Sequence, residues 1–86
     1  MYTLVFLGIA QKEFKKLDFV VQKKIKTKLE TLCTNPKTLQ NNIKALKGQY
    51  QGKFRLRINQ YRVIFQIKDK ELIITIIRIG HRKEIY

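Results

Sequence analysis

The stretch from Lys53 to Ile79 constrains this chain most, because its apolar residues first recur at a spacing of two and then run together, a pattern made by adjacent strands. From Lys53 to Ile58 the alternation is strict. Lys53, Arg55 and Arg57 fall on one side and Phe54, Leu56 and Ile58 on the other, as a half-buried strand demands. Asn59-Gln60 supplies a turn into residues 61–67, where Arg62 points opposite to Tyr61, Val63 and Phe65, and Lys68-Asp69-Lys70 turns the chain again. Residues 71–79 read as the last strand. Its unbroken Leu72-Ile73-Ile74-Thr75-Ile76-Ile77 run predicts burial on both faces, hence a central place in the sheet. Three consecutive strands joined by tight turns form an antiparallel meander.

Upstream, residues 2–7 read as a first strand that Gly8 breaks, and Ala10, Phe14 and Leu17 then recur at helical spacing. Asp18 is placed to N-cap a second helix with an apolar stripe of Val21, Ile25, Leu29 and Leu32. Lys23, Lys24, Lys26 and Lys28 fall mostly off that stripe and read as a solvated face without a specific role. Thr34-Asn35-Pro36 ends the helix, and residues 38–51 read as a connecting loop with a helical turn around Asn42 to Leu46. The expected order is strand, two helices, three strands: a single α+β domain over residues 1–86. The helix pair must cover the apolar face of the meander, leaving the cationic face for a ligand.

Nineteen basic residues against six acidic ones give a formal net charge of +13, a field that draws polyanions. The expected partner is a nucleic acid or a very acidic protein, and charge alone fits a ribosome-associated structural protein equally well. All five arginines, Arg55, Arg57, Arg62, Arg78 and Arg82, lie in the meander and its tail, whereas the amino-terminal half carries lysine alone. Arginine's planar fork matches a phosphate bidentately, so phosphate chemistry is expected on this sheet. Glu13, Asp18, Glu30, Asp69, Glu71 and Glu84 form no carboxylate cluster of the two-metal kind, and Cys/His ligand spacing is missing, so no metal is expected. Gly48, Gly52 and Gly80 make no phosphate-loop or dinucleotide fingerprint, so no cofactor is expected either. The single Cys33 rules out an internal disulfide framework and reads as a buried apolar thiol. Residues 2–10 are too short for a membrane span and lack the basic start of a signal peptide; the expected location is the cytoplasm.

Leu46-Lys47-Gly48, the KFRLR of residues 53–57, the YRVIF of residues 61–65 and the GHRKEIY of residues 80–86 together resemble the RelE/ParE superfamily of bacterial toxins from type II toxin–antitoxin pairs. The resemblance runs over essentially the whole chain. It implies the RelE-like fold, with an N-terminal strand and two helices packed on an antiparallel sheet completed by the C-terminal meander. It also implies a cognate antitoxin as partner, and leaves open a higher hetero-oligomer of the two. The RelE branch cuts messenger RNA in the ribosomal A site without a metal; the ParE branch inhibits DNA gyrase. A catalytically degenerate nucleic-acid-binding member is a third possibility.

By this resemblance, the basic positions used by the RelE branch match Lys53, Arg55, Arg62 and Arg82, and the late tyrosine matches Tyr86. Retention of this set favours the RelE branch. In such a cut the ribose 2′-hydroxyl loses a proton and attacks the adjacent phosphorus, while charge grows on phosphate oxygens. Arg62 and Arg82 are assigned to grip the scissile phosphate. Lys53 and Arg55 orient substrate, with Lys53 the candidate base, and Tyr86 either stacks on a base or donates its phenolic proton. Arg57 joins Lys53, Arg55, Arg62 and Arg82 in RNA binding, outside the catalytic set. His81 has two readings, a proton donor at the leaving group or a tail residue that only hydrogen-bonds. Arg78 is expected to pair with an acid or with the antitoxin, and Tyr61 and Phe65 to be core.

Overall fold

The computed structural model, which describes residues 1–85, contains strands β1 (Thr3–Phe6), β2 (Ile43–Ala45), β3 (Phe54–Ile58), β4 (Tyr61–Lys68) and β5 (Ile73–His81). They form one five-stranded sheet in the order β1-β5-β4-β3-β2. β1 pairs parallel with β5, and the other neighbours are antiparallel. Helices α1 (Gly8–Lys15) and α2 (Phe19–Thr34) connect β1 to the rest. The α+β fold, the meander and the helix pair are as the sequence predicts.

The apolar stripe of α2 explains how the layers join. Ile25, Leu29 and Leu32 meet Leu56, Ile58, Val63, Phe65, Ile74, Ile76 and Ile79 from the sheet, with Ala10 from α1 in the same cluster. Phe54 and Phe65, paired across β3 and β4, stack with ring centroids 5.7 Å apart. Cys33 is buried, as expected of an apolar thiol. Asp18 stands at the N-cap of α2, but its side chain makes no capping bond. Gln22 does the joining at this corner: its amide donates to the carbonyls of Phe14 and Leu17, each at 3.0 Å, tying α2 to the end of α1 and the residues that follow it.

Two local expectations are corrected, while Gly8 lies just past β1 as expected and opens α1. Residues 38–51 are more structured than a loop: a 3₁₀ helix spans Pro36–Asn42, and β2 occupies the place of the expected helical turn. Ile43 packs toward the core beside Leu56 while Lys44 faces away beside Arg55, an alternation three residues long and too short to register as a strand signal. The last strand runs to His81, so Gly80 lies inside it. β5 is an interior strand, but β4 holds the middle of the sheet.

β5 also contains the irregularity that decides where Arg78 goes. Phe65 pairs with Ile76 while Ile64 pairs with Arg78, so Ile77 is an extra residue, a β-bulge. Strict alternation from Ile74 and Ile76 would have put Arg78 in the core. The bulge turns it to the other face and brings Ile79 to the core side, opposite Val63.

β1 stops pairing with β5 after Leu7, whose N–H donates to Ile76 O, and the remaining edge of β5 is covered by α1. Glu13 of α1 accepts from Arg78 Nη2 at 2.8 Å, from Arg78 Nε, and from the Ile79 backbone N–H at 2.9 Å. One carboxylate therefore caps an open strand edge and fixes the bulge. Burial pushes the Glu13 carboxyl up, but the bonds from Arg78 and Ile79 and the charges of Arg78 and Lys16 together hold it below its ordinary value of 4.5. A carboxyl whose folded pKa is depressed stabilises the fold fully above its unfolded pKa and loses that contribution as pH falls through the folded value. Urea titrations should therefore show wild-type stability falling across that acid range more steeply than in Glu13→Gln. At neutral pH Glu13→Ala should cost more than Glu13→Gln, by about 1 kcal/mol, because only alanine leaves the Ile79 N–H without an acceptor. Equal losses in the two variants would remove the edge-capping role.

Candidate nucleic-acid interface

Cross-strand partners share a face, so the sheet register sorts the basic residues into rows. Lys44, Arg55, Ile64 and Arg78 make one row across β2, β3, β4 and β5; Arg57, Arg62 and Gly80 make the next. The rows differ in exposure.

The first row is largely covered. Ile64 is 0% exposed although it faces away from the main core, and Arg55 Nε is buried with no hydrogen-bond partner among the described residues. Glu13 is the main cause of the raised pKa of Arg78, and the Tyr50 phenol contributes from the turn before β3. Gly48 and Gly52, at φ 68 and 87, take the left-handed backbone that this turn requires. Arg55 lines a cavity of about 370 Å³ with Lys44 and Lys47.

The second row opens into a cleft of about 600 Å³ lined by Asn42, Arg57, Asn59, Gln60, Arg62 and Arg82. The turn between β3 and β4 organises it. Asn59 adopts φ 54, a conformation that asparagine tolerates better than most residues. Arg62 Nη1 donates to the carbonyls of Asn59 and Tyr61, each at 2.9 Å, so the guanidinium is held by the turn. The Arg82 N–H donates to Gln60 O at 2.8 Å, tying the tail to the same turn. Arg57 Nη2 makes a long 3.4 Å bond to Asn42 Oδ1. Beyond Arg82 the chain folds back: the N–H groups of Glu84 and Ile85 donate to His81 O, and Ile85 packs over Gly80.

Of the residues singled out in the sequence, the structure brings Arg57, Arg62 and Arg82 together. Arg55 lies on the same face in the covered row, and Lys53 immediately precedes β3, half-buried, with its carbonyl accepting from Leu46 N–H. His81 faces elsewhere. It pairs with Tyr61, their rings edge-on at 5.8 Å, and its Nδ1 accepts the Lys83 N–H. With Glu13, Lys16 and Leu17 it lines a separate pocket of about 390 Å³ beside α1. Tyr86 lies outside the described residues. Arg78 pairs with an acid, Glu13. Asn42 and Lys44 were not legible as site residues, since the 3₁₀ helix that ends at Asn42 and the strand that carries Lys44 were themselves not foreseen.

Three arginines lining one open cleft define a small basic α+β domain with an anion-receptive sheet end. A family model described as "ParE toxin of type II toxin-antitoxin system, parDE" matches residues 4–86. A RelE-like toxin protein of Escherichia coli is 33% identical over 82 residues, covering 95% of this chain and 84% of the relative. The mRNA interferase toxin RelE of Escherichia coli K12 is 31% identical over 87 residues, covering 99% of this chain and 90% of the relative. Among solved structures, the isolated E. coli RelE toxin superposes with a TM-score of 0.77 at 28% identity, covering all of this chain (100%) and 92% of the other. A chain of the intact E. coli RelBE toxin–antitoxin complex gives 0.77 at 26% identity, with 94% of this chain and 96% of that one covered. The chain belongs to the RelE/ParE superfamily of type II toxin–antitoxin toxins.

Arg57 and Arg62 are direct cross-strand partners, an arrangement that costs about 0.2 to 1 kcal/mol for like charges. Arg57→Gln should therefore raise the thermal midpoint of the isolated protein by a few degrees. Added inorganic phosphate should raise the wild-type midpoint more than that of the variant. A variant that melts lower in phosphate-free buffer would contradict the electrostatic account of this cleft.

Proposed function

We propose that this protein is a RelE-type toxin, a ribosome-dependent endoribonuclease that cuts messenger RNA in the A site without a catalytic metal. The observation that carries the reading is the convergence of Arg57, Arg62 and Arg82 on one cleft, two of them tied to the same turn by 2.8–2.9 Å hydrogen bonds. Whole-length similarity to a protein named mRNA interferase toxin RelE supports it. The site of action would be the cytoplasm, where ribosomes translate; among the described residues no helix is long and apolar enough to cross a membrane.

In the proposed reaction the 2′-oxygen forms a bond to phosphorus as the bond to the 5′-oxygen breaks. The products are a 2′,3′-cyclic phosphate, or its 3′-phosphate hydrolysis product, and a free 5′-hydroxyl. Lys53 takes the 2′-hydroxyl proton. Arg62 and Arg82 bind the non-bridging oxygens, where charge grows in the transition state, and Arg57 positions the flanking phosphate. Arg55, which lines the neighbouring cavity with Lys44 and Lys47, supplies a further anion contact in the adjacent row. Tyr86 is the candidate donor to the leaving 5′-oxygen. His81, turned to Tyr61, is assigned packing.

The partner is a cognate antitoxin, by analogy with the neighbouring RelBE complexes. A net charge of +13 calls for an acidic segment on that antitoxin. The family model's ParE description keeps gyrase inhibition as a second reading.

Primer extension on translating messenger should reveal cuts inside the A-site codon, and supercoiling by gyrase should be unaffected. Impaired supercoiling with intact messenger would transfer the protein to the ParE reading. Arg62→Ala and Arg82→Ala should each slow single-turnover cleavage by about 10²- to 10³-fold, the magnitude associated with losing one transition-state donor, while ribosome binding changes far less. Wild-type rates in both variants at saturation would discard this active site.

A further inference from the structure

A second cavity, of about 490 Å³, runs between α2 and the end of β3, lined by Lys23, Lys24, Thr27, Lys28, Asn42, Arg57, Ile58 and Asn59. It shares Asn42, Arg57 and Asn59 with the arginine cleft, so the two form a continuous basic groove. Four of the lining residues are cationic and none is acidic. Among the described residues, the one ion pair recorded is Arg78–Glu13, on another part of the sheet. This placement works against the helix. Lys24 and Lys28 repel at a spacing of four, and Asp18 at the N-cap is the one acid at this end of α2. A face that merely keeps a helix soluble needs no such convergence.

Phe19 points to a ligand independently. It is 68% exposed, one turn before Lys23, whose Nζ lies 4.9 Å from the ring centroid. An uncovered aromatic beside a cation-lined groove is how proteins without a base code hold single strands: phosphates track the cations and an unpaired base stacks on the ring.

We propose that single-stranded RNA leaves the arginine cleft along α2, its phosphates held by Arg57, Lys24, Lys28 and Lys23, with one base stacked on Phe19. The assignment of RNA rests on the function proposed above. The groove itself rests on the cavity and the exposed ring.

The test measures binding and not cleavage, so the two readings can fail separately. Fluorescence anisotropy of a labelled 2′-O-methyl oligouridylate, which lacks the attacking hydroxyl, would be followed against salt for the isolated protein. The double variant Lys24→Gln/Lys28→Gln should lower the slope of log K against log salt by about 1.4, that is about 0.7 per lost contact on a single strand. Lys12→Gln/Lys26→Gln removes the same charge away from the groove and should lower it far less. Phe19→Ala should weaken binding about tenfold with the slope unchanged, and Phe19→Tyr should restore wild-type affinity. Equal losses in the two lysine pairs would mean a diffuse field and no groove. Wild-type affinity in Phe19→Ala would remove the stacking platform. A preference for polyglutamate over the oligonucleotide, with the same variant dependence, would hand the groove to an acidic protein and overturn the RNA assignment.

Discussion

The burial of β4 on both of its faces is the constraint on which the rest of the molecule depends. Val63, Ile64 and Phe65 are all fully inaccessible, so the strand must have helices on one side and something else on the other. The helices supply Ile25, Leu29 and Leu32. On the other side Arg55 and Arg78 flank Ile64 in one row, and Ile85 lies over Gly80 in the next. The basic face is thereby divided: Ile64 is sealed in the first row, while in the second the β5 end is covered and Arg57 and Arg62 border the cleft.

Electrostatics then works within that frame. The domain carries far more positive charge than its fold requires, and one carboxylate does the structural share of neutralisation. Glu13 holds the bulge that takes Arg78 out of the core and Ile79 into it, and it closes the strand edge that β1 leaves open. Arg78 is committed to structure, and Arg57, Arg62 and Arg82 line the cleft. A folded state that keeps such groups adjacent gives up stability that a bound polyanion can return, which links ligand affinity to the same repulsion that strains the free protein.

Much of this was legible in the sequence because period-two alternation and helical spacing are strong signals over five or more residues. They located the meander, the core stripe of α2 and the outward side of Arg55, Arg57 and Arg62. What was missed has a common physical origin in short or irregular elements. β2 is three residues long, and it is joined to β3 through an irregular turn that shows no hairpin signature. The bulge at Ile77 breaks the parity on which face assignments rely, so neither the side of Arg78 nor the register of His81 could be read from alternation. The lysines of α2 read as solvent-facing because helical spacing describes one helix at a time; that Lys24 and Lys28 share a groove with Arg57 is a fact of docking.

The parallel pairing of β1 with β5 has a consequence for how the fold assembles. Thr3–Phe6 pairs with Ile73–Ile76, near the far end of the same domain, and sequence-distant contacts of this kind are slow to form. The strand that β1 waits for is also the one that leads into Arg82, which joins Arg57 and Arg62 in lining the cleft. Completion of the basic cleft is therefore coupled to closure of the sheet.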